Sequence, residues 1–188
     1  MIRYLVFSFT GLILVTIFAA SIRQNQKKIE LDDPFLHKIR GNLYYRDSPF
    51  TGILVDKYAN GQKRFQISYR LGKEHGVAQR WYPNQQLHSI RTYKEGKKHG
   101  EHRGWWENGI QKFVYRFEKT ASQGEQREWY QTGQLHKVKQ YDNGQEAGLQ
   151  QGWNQDGKIM FNYVFKKGKR YGLLGTKPCI TVQNKIGS

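Results

Sequence analysis

A period of 24 residues constrains this chain more than any other feature of its sequence. Glycine recurs at that step at Gly52, Gly76, Gly100, Gly124, Gly148 and Gly172. If each glycine is position 1 of a unit, position 18 is always Tyr or Phe, and position 6 is tryptophan in four consecutive units. Chance does not place so many aromatic residues at one spacing. The chain is therefore predicted to be an array of structurally equivalent units.

Each unit contains two turn signals. The first lies at positions 9 and 10, as in Asn108-Gly109, and the second at positions 20 and 21, as in Glu95-Gly96. Such dipeptides accept the positive φ values that tight hairpin turns require. Between the turns every second residue is apolar, as in Phe113, Tyr115 and Phe117, which is typical of a β-strand. The predicted fold is all-β: one twisted antiparallel sheet of β-hairpins, with about five 24-residue units.

Composition supports this fold class and excludes several others. Only 37% of the 188 residues are hydrophobic, but 14% are aromatic and 20 are glycine, which is unlike both a helical bundle and a disordered chain. The single cysteine, Cys179, excludes an intramolecular disulfide scaffold and a zinc site built from cysteines. The formal net charge of +16 favours acidic partners.

The first segment differs from the rest of the chain. Residues 4–22 carry no charge and are mostly apolar, which predicts either a cleaved export signal or a retained membrane anchor. Arg23, Lys27 and Lys28 outnumber Arg3, and the positive-inside bias alone would keep the following chain cytoplasmic. A long apolar run behind so short an N-terminal tail nevertheless favours export. We expect a periplasmic, envelope-associated or membrane-anchored protein, with the cytoplasm as the less favoured location.

The repeats resemble a known family. The second unit reads GVAQRWYPNQQL and then YKEGKKHG, which resembles the MORN repeat in its bacterial variant form. The sequence PFTG at residues 49–52 also resembles the start of bacterial YwqK-type antitoxins. The resemblance covers about residues 41–172, and it implies a binding or scaffold role rather than a chemistry. The third unit departs from the pattern because Lys119-Thr120 replaces the second turn glycine.

These signals divide the chain into four parts. The predicted parts are the signal or anchor (1–22), a lead-in segment with a first strand (23–48), the repeats (49–172) and a C-terminal cap or tail (173–188).

No motif in the sequence indicates catalysis. There is no glycine-rich phosphate loop, nucleophile elbow or paired-histidine metal motif, so we expect no enzymatic activity, cofactor, metal or small-molecule substrate. His99 and His102 are close in sequence, but two histidines do not complete a metal site. Cys179 is interpreted as an inert tail cysteine, with a redox or partner thiol as the alternative.

The candidate binding surface follows from an assumed two-residue first turn. In that register position 6 pairs with position 13, which places tryptophans beside basic side chains on one face. The predicted surface comprises Trp81, Trp105, Trp129, Trp153, His88, Lys112 and His136. Such a surface suits sugar rings, anionic headgroups or another aromatic surface. The alternative is that the aromatic rings only stabilise the sheet through cross-strand pairs.

Three functional hypotheses remain open from the sequence. The first is a non-enzymatic, envelope-associated scaffold that binds a protein or an anionic membrane or envelope component. The second is an antitoxin or immunity protein, which the YwqK-type resemblance implies. A cytoplasmic antitoxin would not need an export segment, so residues 4–22 favour an envelope immunity protein within this hypothesis. Nucleic acid is disfavoured as a partner if the protein is exported. An accessory enzyme domain has only Cys179 and scattered histidines in its favour.

Overall fold

The computed structural model describes residues 26–175, and this part of the chain consists of strands, turns and short connections. The predicted segment 1–22 and Cys179 lie outside the described residues. Between residues 26 and 175 no helix is long and apolar enough to cross a membrane. The strands are β1 (Lys28–Glu30), β2 (Leu36–Ile39), β3 (Asn42–Tyr45), β4 (Ser48–Pro49), β5 (Gly52–Lys57), β6 (Lys63–Arg70), β7 (Lys73–Trp81), β8 (Leu87–Lys94), β9 (Lys97–Lys98), β10 (Gly100–Trp105), β11 (Gln111–Glu118), β12 (Ala121–Ser122), β13 (Gly124–Trp129), β14 (Leu135–Asp142), β15 (Gln145–Trp153), β16 (Ile159–Lys166) and β17 (Lys169–Leu173).

The repeats form one large sheet, as predicted. Its strand order is β1-β5-β6-β7-β8-β10-β11-β13-β14-β15-β16-β17, and the short strands β9 and β12 extend the edges of β8 and β11. From β5 onward each strand pairs antiparallel with the next strand in this order. The prediction of an all-β array of hairpins is confirmed for the described residues.

The prediction of a purely antiparallel single sheet is wrong at the N-terminal end. Strand β1 pairs parallel with β5, with Lys28 opposite Ile53 and Glu30 opposite Val55, so the large sheet is mixed. Between them β2, β3 and β4 form a separate three-stranded sheet. A parallel neighbour requires a long crossover, and this small sheet supplies it. Sequence repetition could not reveal it because residues 26–51 lie before the periodic region.

The first turn of each unit has three residues rather than the predicted two. In the second unit the amide of Tyr82 donates to the carbonyl of Gln86, and the amide of Gln85 donates to the carbonyl of Tyr82. Gln85 has a φ of 64°, so the loop is a three-residue turn with a left-handed third residue. Position 6 consequently pairs with position 12, as in Trp81 opposite Leu87, and not with position 13. Position 13 becomes the bulge residue.

The second turn is the two-residue type. In the second unit Lys94 pairs with Lys97, and the intervening Glu95 and Gly96 have φ values of 53° and 78°. Two positive φ values in succession define a type I′ turn. The third unit keeps this turn without a glycine, because Thr120 adopts a φ of 81°.

The register divides the side chains between two faces of the sheet. We call one the aromatic face, because positions 14, 16 and 18 lie there, with Phe65, Ile67 and Tyr69 in the first unit. The other is the tryptophan face. Position 3 lies at the centre of the aromatic face and is buried in every unit, at Leu54, Ala78, His102, Gln126 and Gln150.

The apolar core lies at the N-terminal end of the array. Its buried residues are Ile29, Leu43, Phe50, Leu54, Phe65, Ile67 and Ala78. Leu43 and Phe50 come from the segment that forms the small sheet, which therefore covers the first hairpins. Farther along the array, the buried residue at position 3 is polar rather than apolar, so it stabilises the later units through hydrogen bonds rather than through apolar packing.

Candidate functional site

The predicted tryptophan column occupies one face of the large sheet. Trp81 directly follows Arg80, whose guanidinium lies 5.2 Å from the ring of Phe65 on the aromatic face. Because consecutive strand residues point to opposite sides, Trp81 lies on the other face. Trp129 lines a shallow depression there with Arg103, Val114 and Arg127 among its neighbours. All four tryptophans are partly buried.

The cations predicted to accompany the tryptophans lie elsewhere. His88 contacts Tyr82 edge to face at 4.7 Å, Lys112 lies 4.0 Å above the ring of Trp106, and His136 lies 4.3 Å from Tyr130. His136 is also 3.6 Å from Glu128, which faces the aromatic side of the sheet. These three cations therefore do not lie opposite Trp81, Trp105 and Trp129, where the register assumed from the sequence placed them. The longer first turn moves position 13 to the other side.

The basic residues that do share the tryptophan face are arginines and Lys63, whose ammonium group lies 5.7 Å from the ring of Trp81. Arg103 and Arg127 occupy position 4, two residues before Trp105 and Trp129, and both flank Val114 in the cross-strand register. Each forms an ion pair with the glutamate two residues earlier, Glu101 or Glu125. Counting back two residues from each tryptophan would have found these arginines.

Glu101 is shared between two arginines. It pairs with Arg103 and, at 3.4 Å, with Arg116 on the neighbouring strand. The hydrogen bond from Arg103 is the main cause that lowers the pKa of the Glu101 carboxyl, and Arg116 acts in the same direction. The central part of the tryptophan face therefore carries compensated charges.

A ladder of hydrogen bonds joins successive units through position 7. The Tyr82 hydroxyl donates to the carbonyl of Trp105 at 3.0 Å, and the Trp106 indole donates to the carbonyl of Trp129 at 3.0 Å. The Tyr58 and Tyr130 hydroxyls make the same bond to the carbonyls of Trp81 and Trp153. In the fifth unit position 7 is Asn154. The sequence could have indicated this ladder, because position 7 of each of the first four units is Tyr or Trp, whose ring carries a hydrogen-bond donor.

A second ladder lies inside the aromatic face. The His102 side chain contacts the carbonyl of Thr92 at 2.8 Å, and Gln126 and Gln150 donate to the equivalent carbonyls of Arg116 and Gln140 at 3.3 and 2.7 Å. His102 is 2% exposed and lies between the rings of Tyr93 and Phe117. Burial is the main cause that lowers its pKa. As a neutral donor, His102 takes the place that glutamine takes in the next two units.

Two carboxylates on the aromatic face, Glu128 and Glu146, are satisfied by internal hydrogen bonds and ion pairs. The Tyr115 hydroxyl donates to Glu128 at 2.9 Å, and Lys137 lies 3.4 Å from the same carboxylate. In the last hairpin Tyr163 and Arg170 both donate to Glu146. Burial raises the pKa of the Tyr115 hydroxyl, and its bond to Glu128 raises it further. These clusters stabilise the sheet.

A third surface follows the second turns. The turns stack on one another, since the Gly96 amide donates to the carbonyl of Glu74 and the Thr120 amide to the carbonyl of Lys98, both at 2.8 Å. Two adjoining depressions run along them and share Glu95 and Lys97. We call this surface the turn groove and define it by its cations Lys38, Arg40, Lys73, Lys94, Lys97 and Lys119. All six are exposed, and within residues 26–175 none of them forms an ion pair.

The described residues offer no assembled metal site. Between residues 26 and 175 no group of three or more His, Cys, Asp or Glu side chains could hold a metal ion. His75 and His99, the equivalent histidines of adjacent units, flank the second turns as predicted. The His75 ring accepts a hydrogen bond from the amide of Glu95 at 3.4 Å.

The comparison with known proteins agrees with the fold. Residues 74–95 and 122–143 match the MORN repeat variant. The first match begins in β7 and ends in the second turn after β8, and the second match lies two periods later, so each covers one hairpin. No curated protein matches the chain. The chain thus contains the MORN repeat variant at two places, and such repeats suggest a repeat-protein binding module.

Proposed function

We propose that the chain is a non-enzymatic scaffold of the cell envelope that attaches to an anionic membrane or envelope component through the turn groove. One observation carries the proposal: six exposed cations line this groove together with Glu74, Glu95 and Glu118, and within the described residues none of the six forms an ion pair. The arginines of the tryptophan face, by contrast, are already paired with glutamates. A partner with phosphate or carboxylate groups would gain most at the unpaired cations.

The architecture of the groove supports a multivalent contact. Its cations come from the small sheet (Lys38, Arg40) and from the turns of three successive units. They are therefore spread along the stacked turns rather than gathered around one ion. Such a strip suits a surface or a polymer with many negative charges better than a single small anion. The electrostatic attraction should weaken with salt, because exposed charges are screened over about 10 Å at 0.1 M.

The location rests on the N-terminal segment. Residues 4–22 are uncharged and close to membrane-spanning length, which favours export with either release or anchoring. At the envelope the repeats would meet anionic lipids and phosphate-bearing polymers, and the same scaffold could present a protein partner on its remaining surface. Protease added to cells with a permeabilised outer layer should digest the repeats while a cytosolic marker survives.

Vesicle binding tests the groove directly. The purified repeat protein should float with vesicles that contain phosphatidylglycerol and not with vesicles of phosphatidylcholine alone. Lys73→Glu should weaken this binding, because Lys73 is in the groove. Lys169→Glu is the matched control: Lys169 occupies the same position 22 of its unit, is equally exposed and changes the net charge equally, but lies in the last hairpin.

The two variants separate a local site from a general charge effect. If Lys73→Glu weakens binding several-fold more than Lys169→Glu, the groove is the attachment surface. Equal losses would mean that the net positive charge alone attracts the vesicles. Binding of neither vesicle type, together with no binding to an anionic polymer such as polyphosphate, would refute an anionic partner.

A further inference from the structure

The tryptophan face has a regular spacing that the proposed attachment through the turn groove does not use. Trp81, Trp105, Trp129 and Trp153 lie near the ends of β7, β10, β13 and β15, which alternate with one intervening strand. Neighbouring strands are about 4.8 Å apart, so successive tryptophans are about 10 Å apart across the sheet. Their cross-strand partners at position 12 are mostly aliphatic, with Leu87 beside Trp81 and Leu135 beside Trp129. The result is a row of partly exposed indoles on alternate strands.

Hydrogen-bonding groups run parallel to this row. Position 4 lies two residues before each tryptophan and therefore on the same face, and it carries Gln79, Arg103, Arg127 and Gln151 in successive units. The side chains of Arg103 and Arg127 are each 51% exposed. Guanidinium donors and the carboxylate acceptors Glu101 and Glu125 therefore lie on the same face as the rings.

The charges on this face argue against a polyanion as its occupant. Arg103 and Arg116 share Glu101, and Arg127 is paired with Glu125, so each of these three cations already has a carboxylate partner. An anionic ligand would have to compete with carboxylates already in place. A ligand with hydroxyl groups would instead use both the guanidinium donors and the carboxylate acceptors without disturbing the ion pairs.

We propose that the tryptophan face binds an extended, uncharged β-1,4-linked glycan that lies across the strands. In such a chain every second sugar presents the same face, and two sugars span roughly the same length as two strand spacings, about 10 Å. Alternate sugar rings would stack their C–H faces on successive indoles, since an indole presents a large, rigid apolar surface. Their hydroxyl groups would bond to the position 4 side chains and the adjacent glutamates.

The probe is a hexasaccharide of β-1,4-linked N-acetylglucosamine, titrated into the purified full-length protein and followed by calorimetry. It is long enough to reach more than one indole, so we expect at least about tenfold tighter binding than for the disaccharide of the same sugar. Maltohexaose, an α-1,4-linked hexamer that coils, should bind much more weakly. High salt should change the affinity for the hexasaccharide little, because no net charge is neutralised.

Two variants and one control assign the site. Trp129→Ala should weaken binding of the hexasaccharide about tenfold. Trp106→Tyr is the matched control, because Trp106 is a nearby indole on the other face of the sheet and position 7 is tyrosine in three other units. This substitution should leave binding of the hexasaccharide unchanged. If Trp129→Ala does not fold by circular dichroism, Arg127→Gln replaces it, because glutamine already occupies this position in Gln79 and Gln151. Arg127→Gln should weaken binding several-fold.

Three results would overturn the proposal. The first is no binding of the β-1,4-linked hexasaccharide by the folded array. The second is binding that neither the folded Trp129 variant nor Arg127→Gln weakens. The third is a face that prefers polyphosphate over the glycan and loses polyphosphate binding in the Trp129 variant. Since the turn groove is tested with vesicles and Lys73, failure here leaves that attachment untouched, and the converse also holds.

Discussion

His102 is buried in the middle of the aromatic face, and its chemistry predicts how the stability of the array depends on pH. Its ring contacts the carbonyl of Thr92 at 2.8 Å, in the place where Gln126 and Gln150 donate to the corresponding carbonyls of the next units. The informative change is therefore His102→Gln, which substitutes the residue that the repeat itself uses. His102→Ala, the disruptive comparison, leaves the Thr92 carbonyl without this donor.

The expected magnitudes follow from these contacts. Leaving a buried carbonyl without its donor costs about 1–3 kcal/mol, and the lost packing between Tyr93 and Phe117 adds to this. His102→Ala should therefore lower the free energy of unfolding by at least about 2 kcal/mol at pH 7.5. His102→Gln should cost less than about 1 kcal/mol, because it keeps the donor and most of the volume. Urea unfolding followed by circular dichroism measures both differences.

The pH dependence has a definite sign. Burial lowers the pKa of His102, and the nearby cations Arg91 and Lys98 lower it further, so the folded protein holds this ring neutral. The unfolded chain binds a proton near pH 6.5. The stabilising contribution is therefore fully present above pH 6.5 and is lost as the pH falls below that value toward the folded-state pKa.

Unfolding curves at pH 7.5 and 5.5 test this assignment. The free energy of unfolding should fall between these values in the wild-type protein and fall less in His102→Gln. Some dependence will remain in the variant, since burial also lowers the pKa of His88 and of His136. The exposed His37 provides the control, and His37→Gln should behave as wild type. An identical pH dependence in wild type and His102→Gln would refute the reasoning.

Two further substitutions test the turn and the ladder between units. Thr120→Gly should raise the free energy of unfolding by about 1 kcal/mol, because a β-branched residue at a φ of 81° is strained. Urea titration measures this difference, and no gain in stability would mean that the turn accommodates threonine. Tyr82→Phe should lower the free energy of unfolding by about 1 kcal/mol, because it removes the donor to the Trp105 carbonyl. Tyr171→Phe at the exposed edge is the control and should have no effect. Equal effects of the two substitutions would mean that the ladder does not contribute to stability.

The sequence predicts the hairpin array because its period, turn glycines and alternating aromatics all indicate the same unit. The second turn could be assigned from dipeptides such as Glu95-Gly96, and its geometry persists even at Thr120. The first turn could not be assigned from its dipeptide, because an Asn-Gly pair is compatible with loops of two or three residues. That single uncertainty shifts position 13 to the other face, which is why His88, Lys112 and His136 were misplaced.

The tryptophan column lies on one face of the sheet, but its arginine neighbours were not recognised from the sequence. Arg103 and Arg127 could have been found by alternation alone, since residues two apart on a strand share a face. The small N-terminal sheet and the parallel strand β1 have no repeat signal. Their position depends on long-range burial of Leu43 and Phe50, which no local pattern in residues 26–51 specifies.

The change from an apolar to a polar buried column predicts that stability decreases along the array. Leu54 and Ala78 fill position 3 in the first two units and join an apolar cluster that ends at Ala78, whereas Gln126 and Gln150 fill it in the last two. Burial of an apolar side chain contributes about 1.5–3 kcal/mol, while a hydrogen bond contributes about 0.5–1.5 kcal/mol net. In a repeat array each unit depends mainly on its neighbours, so local opening can differ between the ends.

Native-state hydrogen exchange should therefore show the strongest protection in β5 to β8 and the weakest in β14 to β17. Strand β17 is exposed along its whole length, so opening should begin there and progress toward the apolar end. Adding low concentrations of urea should expose the last hairpin before the first. Uniform protection across all units would mean that the buried glutamine ladder stabilises the sheet as much as the apolar core. Earlier opening of β5 and β6 would contradict the proposed gradient outright.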